Sequence, residues 1–320
     1  MFVGIEEWLP KLIRMAIIQL SDDIRGSLEE IRIREGRPLE IIYRSQYGFV
    51  TSHGKVSLNP QEAIHPTRED CAKLLDVLTN HSVYSYEEEL RRGYITIAGG
   101  HRVGLAGRTV LEQGRVKHIR NISSFNIRIA REVLDCGKKV LPALADLDSR
   151  TVHHTLVISP PQKGKTTLIR DLTRLISYGF WGGNMDMRGL KVGVVDERSE
   201  LAACVSGVPT FDLGPRTDVL DGCPKAEGMM MMIRAMSPEV IVVDEIGREE
   251  DATAIHEALH AGIRIIASAH GHDLDDIRQR PVMQHLIASE VFARYVILHN
   301  AGGTPAVHEV YDSRGNRVRW

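Results

Sequence analysis

Gly164-Lys165-Thr166-Thr167 stands between a short apolar run, 156–158, and a helical pattern, within TLVISPPQKGKTTLIRDL. That seam suits phosphate. Gly164 lets the backbone come close, and the first amides of a helix carry partial positive charge. Lys165 is placed to hold β- and γ-phosphates, and the Thr166 hydroxyl to ligate magnesium. The expected nucleotide cradle is Ser159, Pro160, Pro161, Gln162, Lys163, Gly164, Lys165, Thr166 and Thr167. The pattern G-x-x-x-x-G-K-[ST] wants glycine where Ser159 stands, a departure that leaves the lysine and the helix start in place.

Further acidic and basic groups fall at the ends of other apolar runs. PEVIVVDEIG puts Asp244 and Glu245 after one of them. Asp244 suits a contact to magnesium, direct or through water, and Glu245 a base or orienter for a water attacking the γ-phosphate. VVDERSE puts Asp196, Glu197 and Glu200 after another, and Glu197 is taken as a further catalytic carboxylate. IIASAHG ends on His270, whose imidazole suits sensing of the γ-phosphate.

These groups need a scaffold that brings strand ends together. Apolar runs at 156–158, 192–195, 240–243, 263–267 and 295–298 alternate with helical patterns, which predicts a mostly parallel sheet covered on both faces. Ligands of such sheets sit at the carboxyl ends of the strands. VHEVYDSRGNRVRW reads as a closing hairpin turning at 314–316, and Met229 to Met232 as core or interface filler.

The first half reads as a smaller α/β domain. LEEIRIREGRPLEIIYRS alternates apolar and charged positions around Gly36-Arg37-Pro38, a two-strand signal. Thr67 and Asp70 resemble a helix cap ahead of Leu74, Leu75 and Leu78. Glycine-punctuated strands from 94 to 131 carry Arg102, Arg108, Arg115, Arg120, Arg128 and Arg131. A helix is expected over 132–147, then a break at 148–150, giving domains 1–150 and 151–320.

The net charge of −2 argues against a strongly basic nucleic-acid binder. Cys71, Cys136, Cys204 and Cys223 lack paired spacing and read as reduced thiols of a cytosolic protein. No apolar run approaches the roughly 18 residues a spanning helix needs. The N-terminal stretch, broken by Glu6, Glu7, Lys11 and Arg14, reads as an amphipathic helix rather than a signal peptide.

The stretch GMMMMIRAMSPEVIVVDEIGREEDATAIHEALHAGIRIIASAHG resembles type II/IV secretion ATPases from an arginine-bearing helix to their histidine box, and VVDERSE is similar to their aspartate box. With SPPQKGKTTLIRDL, RTDVLDGCPKAEGMMMMIRAMSPEV and NIRIARE, the chain resembles more closely the stage III sporulation protein AA family, the ATPase of a mother-cell-to-forespore channel in endospore formers. The resemblance covers essentially the whole chain. It implies a RecA-like P-loop ATPase domain behind a smaller α/β domain, ATP and Mg2+ as ligands, and a homo-hexameric ring. It also implies a cytoplasmic, mother-cell location against membrane subunits of a channel or secretion complex. In secretion ATPases, N-domain arginines reach a neighbour's γ-phosphate, which marks Arg102, Arg108 and Arg120 here. Those enzymes usually carry glycine where Asp244 stands, so this site is closer to an ordinary Walker B.

Two other readings stay open at this level. His256-Glu257-Ala258-Leu259-His260 is formally H-E-x-x-H, the signature of a zinc hydrolase. Its place between two buried strands and the lack of a third spaced histidine argue for an ordinary helix, with no zinc. The arginine-rich strands would also suit a RecA-like nucleic-acid motor, against which stand the near-neutral charge and the lack of an aromatic platform. No stable nucleic-acid partner is expected.

Overall fold

The structure is a computed structural model that describes residues 4–112, 114–130, 132–161, 163–182, 187–301 and 304–319. The chain packs as two units, residues 1–131 and 132–320.

The first unit is built on a seven-stranded sheet in the order β4-β3-β2-β1-β7-β6-β5. Its strands are β1 (Leu28–Arg34), β2 (Glu40–Tyr43), β3 (Gln46–Val50), β4 (Val56–Ser57), β5 (Tyr94–Ile97), β6 (His101–Glu112) and β7 (Arg115–Arg128). All the pairings are antiparallel. The expected β1–β2 pair forms, with Ile31 opposite Ile41 and both buried. Alternation is what makes this legible: period-two spacing puts Ile31 and Ile33 on the core face and Arg32 and Arg34 on the other. Thr67 and Asp70 close the expected cap on helix Arg68–Leu78: Asp70 N donates to Thr67 Oγ1 (3.2 Å) and Thr67 N to Asp70 Oδ2 (2.8 Å). At the N-terminus, Pro10 starts helix Lys11–Ile18, whose Ile13, Ala16 and Ile17 join the sheet's core.

The second unit's main sheet runs β12-β11-β13-β14-β10-β15-β16. After the two-residue strands β8 (Ala145–Asp146) and β9 (Thr151–Val152) come β10 (Thr155–Ser159), β11 (Val192–Asp196), β12 (Thr217–Asp221), β13 (Val240–Val243), β14 (Arg264–His270), β15 (Arg294–Ala301) and β16 (Thr304–Asp312). Strands β10 to β15 are parallel and only β16 is reversed, against β15. Each central strand buries both faces. Val157, Val240 and Val242 join one core with Leu168, Leu172 and Leu175 of helix Lys165–Tyr178. Leu156, Ile158, Ile241 and Val243 join the other with Met229, Met232, Ile255 and Ala258. The methionine run therefore supplies core at two of its positions, while Met231 is exposed.

Three expectations need correction. Residues 132–150 belong to the second unit, so the division falls at 131/132 and not at 148–150. The physical tether is Asp171 on the helix after the phosphate loop: it is buried and accepts from Asp135 N (3.0 Å) and Gly137 N (2.8 Å). Val140, Leu141 and Leu144 then sink into that unit's core. Second, 132–147 is mostly turns, with helix confined to Leu141–Leu144; Asp135 takes a φ of 66°, which helix cannot accommodate. Third, strand β16 pairs chiefly with β15, and among the described residues the hairpin expected around 314–316 is reduced to one bridge, Tyr311 to Arg317, with Val318 N donating to Val310 O (2.8 Å).

Asp171 also holds Arg174 through Nε (3.0 Å) and Nη2 (2.8 Å). Removing one member of a buried, hydrogen-bonded ion pair costs about 3–5 kcal/mol. Asp171→Ala should lower unfolding stability by about 3 kcal/mol in urea denaturation. A loss below about 0.5 kcal/mol, the scale of ordinary surface substitutions, would disprove the tether.

Candidate phosphate and magnesium site

Gly164 caps helix Lys165–Tyr178 with φ 91° and ψ 19°, a left-handed conformation strained for any residue with a Cβ. This turn aims the chain into the helix directly after buried Ser159. Ser159 stands where glycine was expected, and its carbonyl accepts from Lys165 Nζ (3.4 Å) and Gly271 N (3.1 Å). Pro160 is half-buried, Pro161 and Lys163 are exposed, and Thr166 and Thr167 are half-buried. Gln162 lies outside the described residues.

Sheet order explains what meets Lys165. Strand β14 lies between β10, which feeds the phosphate loop, and β13, which ends before Asp244 and Glu245. Parallel register sets His270 beside Ser159. Lys165 Nζ donates to His270 Nδ1 at 2.9 Å, and His270 Nε2 lies 2.9 Å from Glu245 Oε1. Because an ammonium can only donate, Nδ1 is the acceptor. With Nδ1 accepting from Lys165, Nε2 is the ring nitrogen turned toward Glu245. Burial holds the Lys165 ammonium below the usual lysine range, partly offset by Asp244 and Glu245.

Thr166 Oγ1 donates to Asp244 Oδ2 at 2.8 Å. A hydroxyl and a carboxylate meeting at a strand end are hard oxygen donors, the set that Mg2+ takes alongside phosphate and water oxygens. The residues therefore fit the ion.

Sequence reasoning missed Ser268. Its hydroxyl donates to Asp244 Oδ1 and accepts from Glu245 N (3.0 Å), while its carbonyl accepts from Ile246 N (2.8 Å). Glu245 has a φ of 52°, in a region that costs a non-glycine residue about 1–3 kcal/mol. Ser268 fixes that conformation on both sides. The available signal was a polar residue inside the apolar run IIASAHG.

Among the described residues Glu197 does not contact this group. It pairs with the buried Lys225 at the start of helix Lys225–Ala235. Its neighbour Arg198 is the residue that reaches in, with Nη1 2.7 Å from Glu245 Oε2. Asp196 is structural: its buried carboxylate accepts from the backbone N–H of Glu200 (2.9 Å), Leu201 (2.8 Å) and Ala202 (2.8 Å). Burial pushes it up to about 6, against the pull of those hydrogen bonds.

Arg102 lies 3.6 Å over the Tyr94 ring and opposite Arg128. Exposed Arg108 and Arg120 face each other across β6 and β7, and Arg120 Nε donates to His118 Nε2 (3.1 Å). Like charges directly opposite on a sheet repel. Arg131 lies outside the described residues. The H-E-x-x-H motif falls on helix Glu249–His260, where Ile255 and Ala258 are buried against the sheet, His256 is half-buried and His260 exposed.

A profile of the family described as Sporulation stage III, protein AA matches residues 4–318. The stage III sporulation protein AA of Bacillus subtilis (strain 168) is 48% identical over 312 residues, which cover 98% of this chain and 95% of that protein. Among solved structures, the pilus retraction motor PilT with bound ADP matches with a TM-score of 0.57 at 16% identity, over 94% of this chain and 81% of that one. The Legionella pneumophila ATPase DotB matches with a TM-score of 0.54 at 14% identity, over 96% and 77%. Such identities speak for fold: an α/β, RecA-like P-loop unit preceded by a smaller N-terminal one. A profile spanning nearly all of the sequence, together with 48% identity along it, shows that the chain belongs to the sporulation stage III protein AA family.

Proposed function

We propose that the protein hydrolyses Mg-ATP at the Lys165–Asp244 site and works as one subunit of a homo-hexameric ring. The observation that carries this is the convergence of Lys165, Thr166, Asp244, Glu245 and His270 within linked hydrogen-bond distances, although they come from three strand ends. Lys165 and the helix amides hold the phosphates. Thr166 and Asp244 hold the Mg2+, which neutralises charge on the phosphate oxygens. Glu245 takes a proton from water as its oxygen attacks the γ-phosphorus, and the bond to the leaving β-phosphate oxygen breaks. His270, within hydrogen-bond distance of both Lys165 and Glu245, links the phosphate-binding cation to the base.

Membership in a sporulation family and a fold shared with secretion-type ATPases support a motor role. Its place would be the cytoplasmic, mother-cell face of a membrane-embedded channel or secretion complex. Among the described residues no helix is long and apolar enough to cross a membrane, so membrane subunits would supply the anchorage.

The ring reading includes an arginine from the first unit completing a neighbouring subunit's site. Arg120 is the better candidate, since Arg102 is laid over its own Tyr94. A trans arginine typically contributes about 10³–10⁵-fold to phosphoryl transfer. Subunit mixing tests the proposal. Arg120→Ala and Lys165→Ala chains should each be inactive alone and regain part of the activity when mixed, because some interfaces pair an intact loop with an intact arginine. Full activity of Arg120→Ala alone, or no recovery in mixed rings, would remove Arg120 from the site.

A further inference from the structure

Glu245 has a guanidinium on it that the proposed chemistry leaves unexplained. Oε1 lies 2.9 Å from His270 Nε2 and Oε2 lies 2.7 Å from Arg198 Nη1. The first contact is with an imidazole nitrogen and the second with a guanidinium, which carries a positive charge at any physiological pH. It arrives from the loop after β11, in a different part of the sequence from both the phosphate loop and β14.

That loop is fixed at its root, and next to Arg198 it is tied through Ser199 Oγ, which donates to Asp221 Oδ1 (2.6 Å). Asp196 is 2% exposed and gathers three backbone N–H groups from residues 200–202. Arg170, one and a half turns into the helix after the phosphate loop, donates to the carbonyls of Leu201 (2.7 Å) and Glu200 (2.6 Å). Glu197 is turned aside onto Lys225, and Ser199 takes a φ of 55°. Between them the Arg198 side chain is 57% exposed and reaches back to Glu245. The helix that carries Lys165 and Thr166 therefore also fixes, through Arg170, the loop from which Arg198 extends.

An ion pair this exposed contributes about 0–1 kcal/mol to folding. Its geometry still matters for catalysis: a glutamate has three side-chain torsions, and a base displaced by 1 Å can cost on the order of 10²-fold in rate. We propose that Arg198 is a positioning residue of this chain's ATP hydrolysis, holding the Glu245 carboxylate by Oε2 so that it stays aligned to take the proton from the attacking water. The proposal rests on the ATPase reading of the Lys165–Asp244 site.

The test is steady-state ATP turnover of the full chain and its Arg198 variants, with thermal unfolding beside it. Arg198→Ala should lower kcat about 10–100-fold, within the range set by base misalignment. KM for ATP should stay within about twofold, and Tm should be close to wild type because the pair is exposed. Arg198→Lys should restore part of kcat, and guanidinium ion at non-denaturing concentrations should raise the rate of Arg198→Ala but not of Glu245→Gln. An Arg198→Ala chain with wild-type or higher kcat would overturn the proposal. So would a parallel fall in kcat, ATP affinity and Tm with no rescue by guanidinium, because that marks a structural role. A wild-type chain whose turnover does not depend on Lys165 would overturn the ATPase reading itself. Loss of the Arg198 effect alone leaves that reading standing.

Discussion

Lys165→Ala should remove nucleotide binding at micromolar ATP while the fold survives. Lys165 is 4% exposed, and among the described residues its ammonium donates to the Ser159 carbonyl and to His270 Nδ1. A buried cation gains when a phosphate arrives, since hydrogen bonds to charged groups contribute about 1.5–3 kcal/mol. That corresponds to a rise in Kd of about 10–100-fold. The variant's core is untouched, because Leu168, Ile169 and Leu172 carry the helix against the sheet. Calorimetric titration with Mg-ATP reads the change. Wild-type affinity in this variant would place the nucleotide elsewhere.

Glu245→Gln should separate binding from turnover. The amide keeps the size of the carboxylate and can still sit beside His270 and Arg198, but it has no basicity. General-base catalysis contributes about 10²–10⁴-fold, so kcat should fall by that factor with ATP affinity nearly unchanged. Affinity lost in proportion to kcat would mean that Glu245 serves as a magnesium ligand or a structural group instead.

The sequence disclosed this site unevenly, for reasons the structure makes physical. The turn at Gly164, the buried Lys165 and the Thr166 hydroxyl were legible because they lie at adjacent positions of one chain segment. Asp244 and Glu245 were legible because a fully buried strand, 240–243, announces itself by an unbroken apolar run. Ser268 and Arg198 were not, because their work is defined by neighbours 23 and 47 positions away in sequence, Glu245 in both cases. Only sheet order, with β14 between β10 and β13 and β11 beyond, brings them there. In VVDERSE the acids drew attention, yet Glu197 goes to Lys225 and the intervening arginine meets the proposed base.

The same contrast runs through the fold. The central strands were found to within a few residues, whereas edge strand β12, with the mixed sequence TDVLD and only partial burial, carried no apolar run to mark it. The domain division was misplaced because local polarity at 148–150 was weighed, while the decisive contacts are Asp171 to the backbone at 135 and 137. A buried carboxylate taking backbone hydrogen bonds from a distant loop has no signature in a linear pattern.

The most direct measurement for the central claim is phosphate release from ATP by the purified chain across a series of protein concentrations, with and without Mg2+. If the Lys165–Asp244 site hydrolyses Mg-ATP as part of a ring, release requires Mg2+ and the rate per chain rises cooperatively as subunits assemble. No release at any concentration under conditions where the chain is folded, or release that is indifferent to Mg2+, would contradict it.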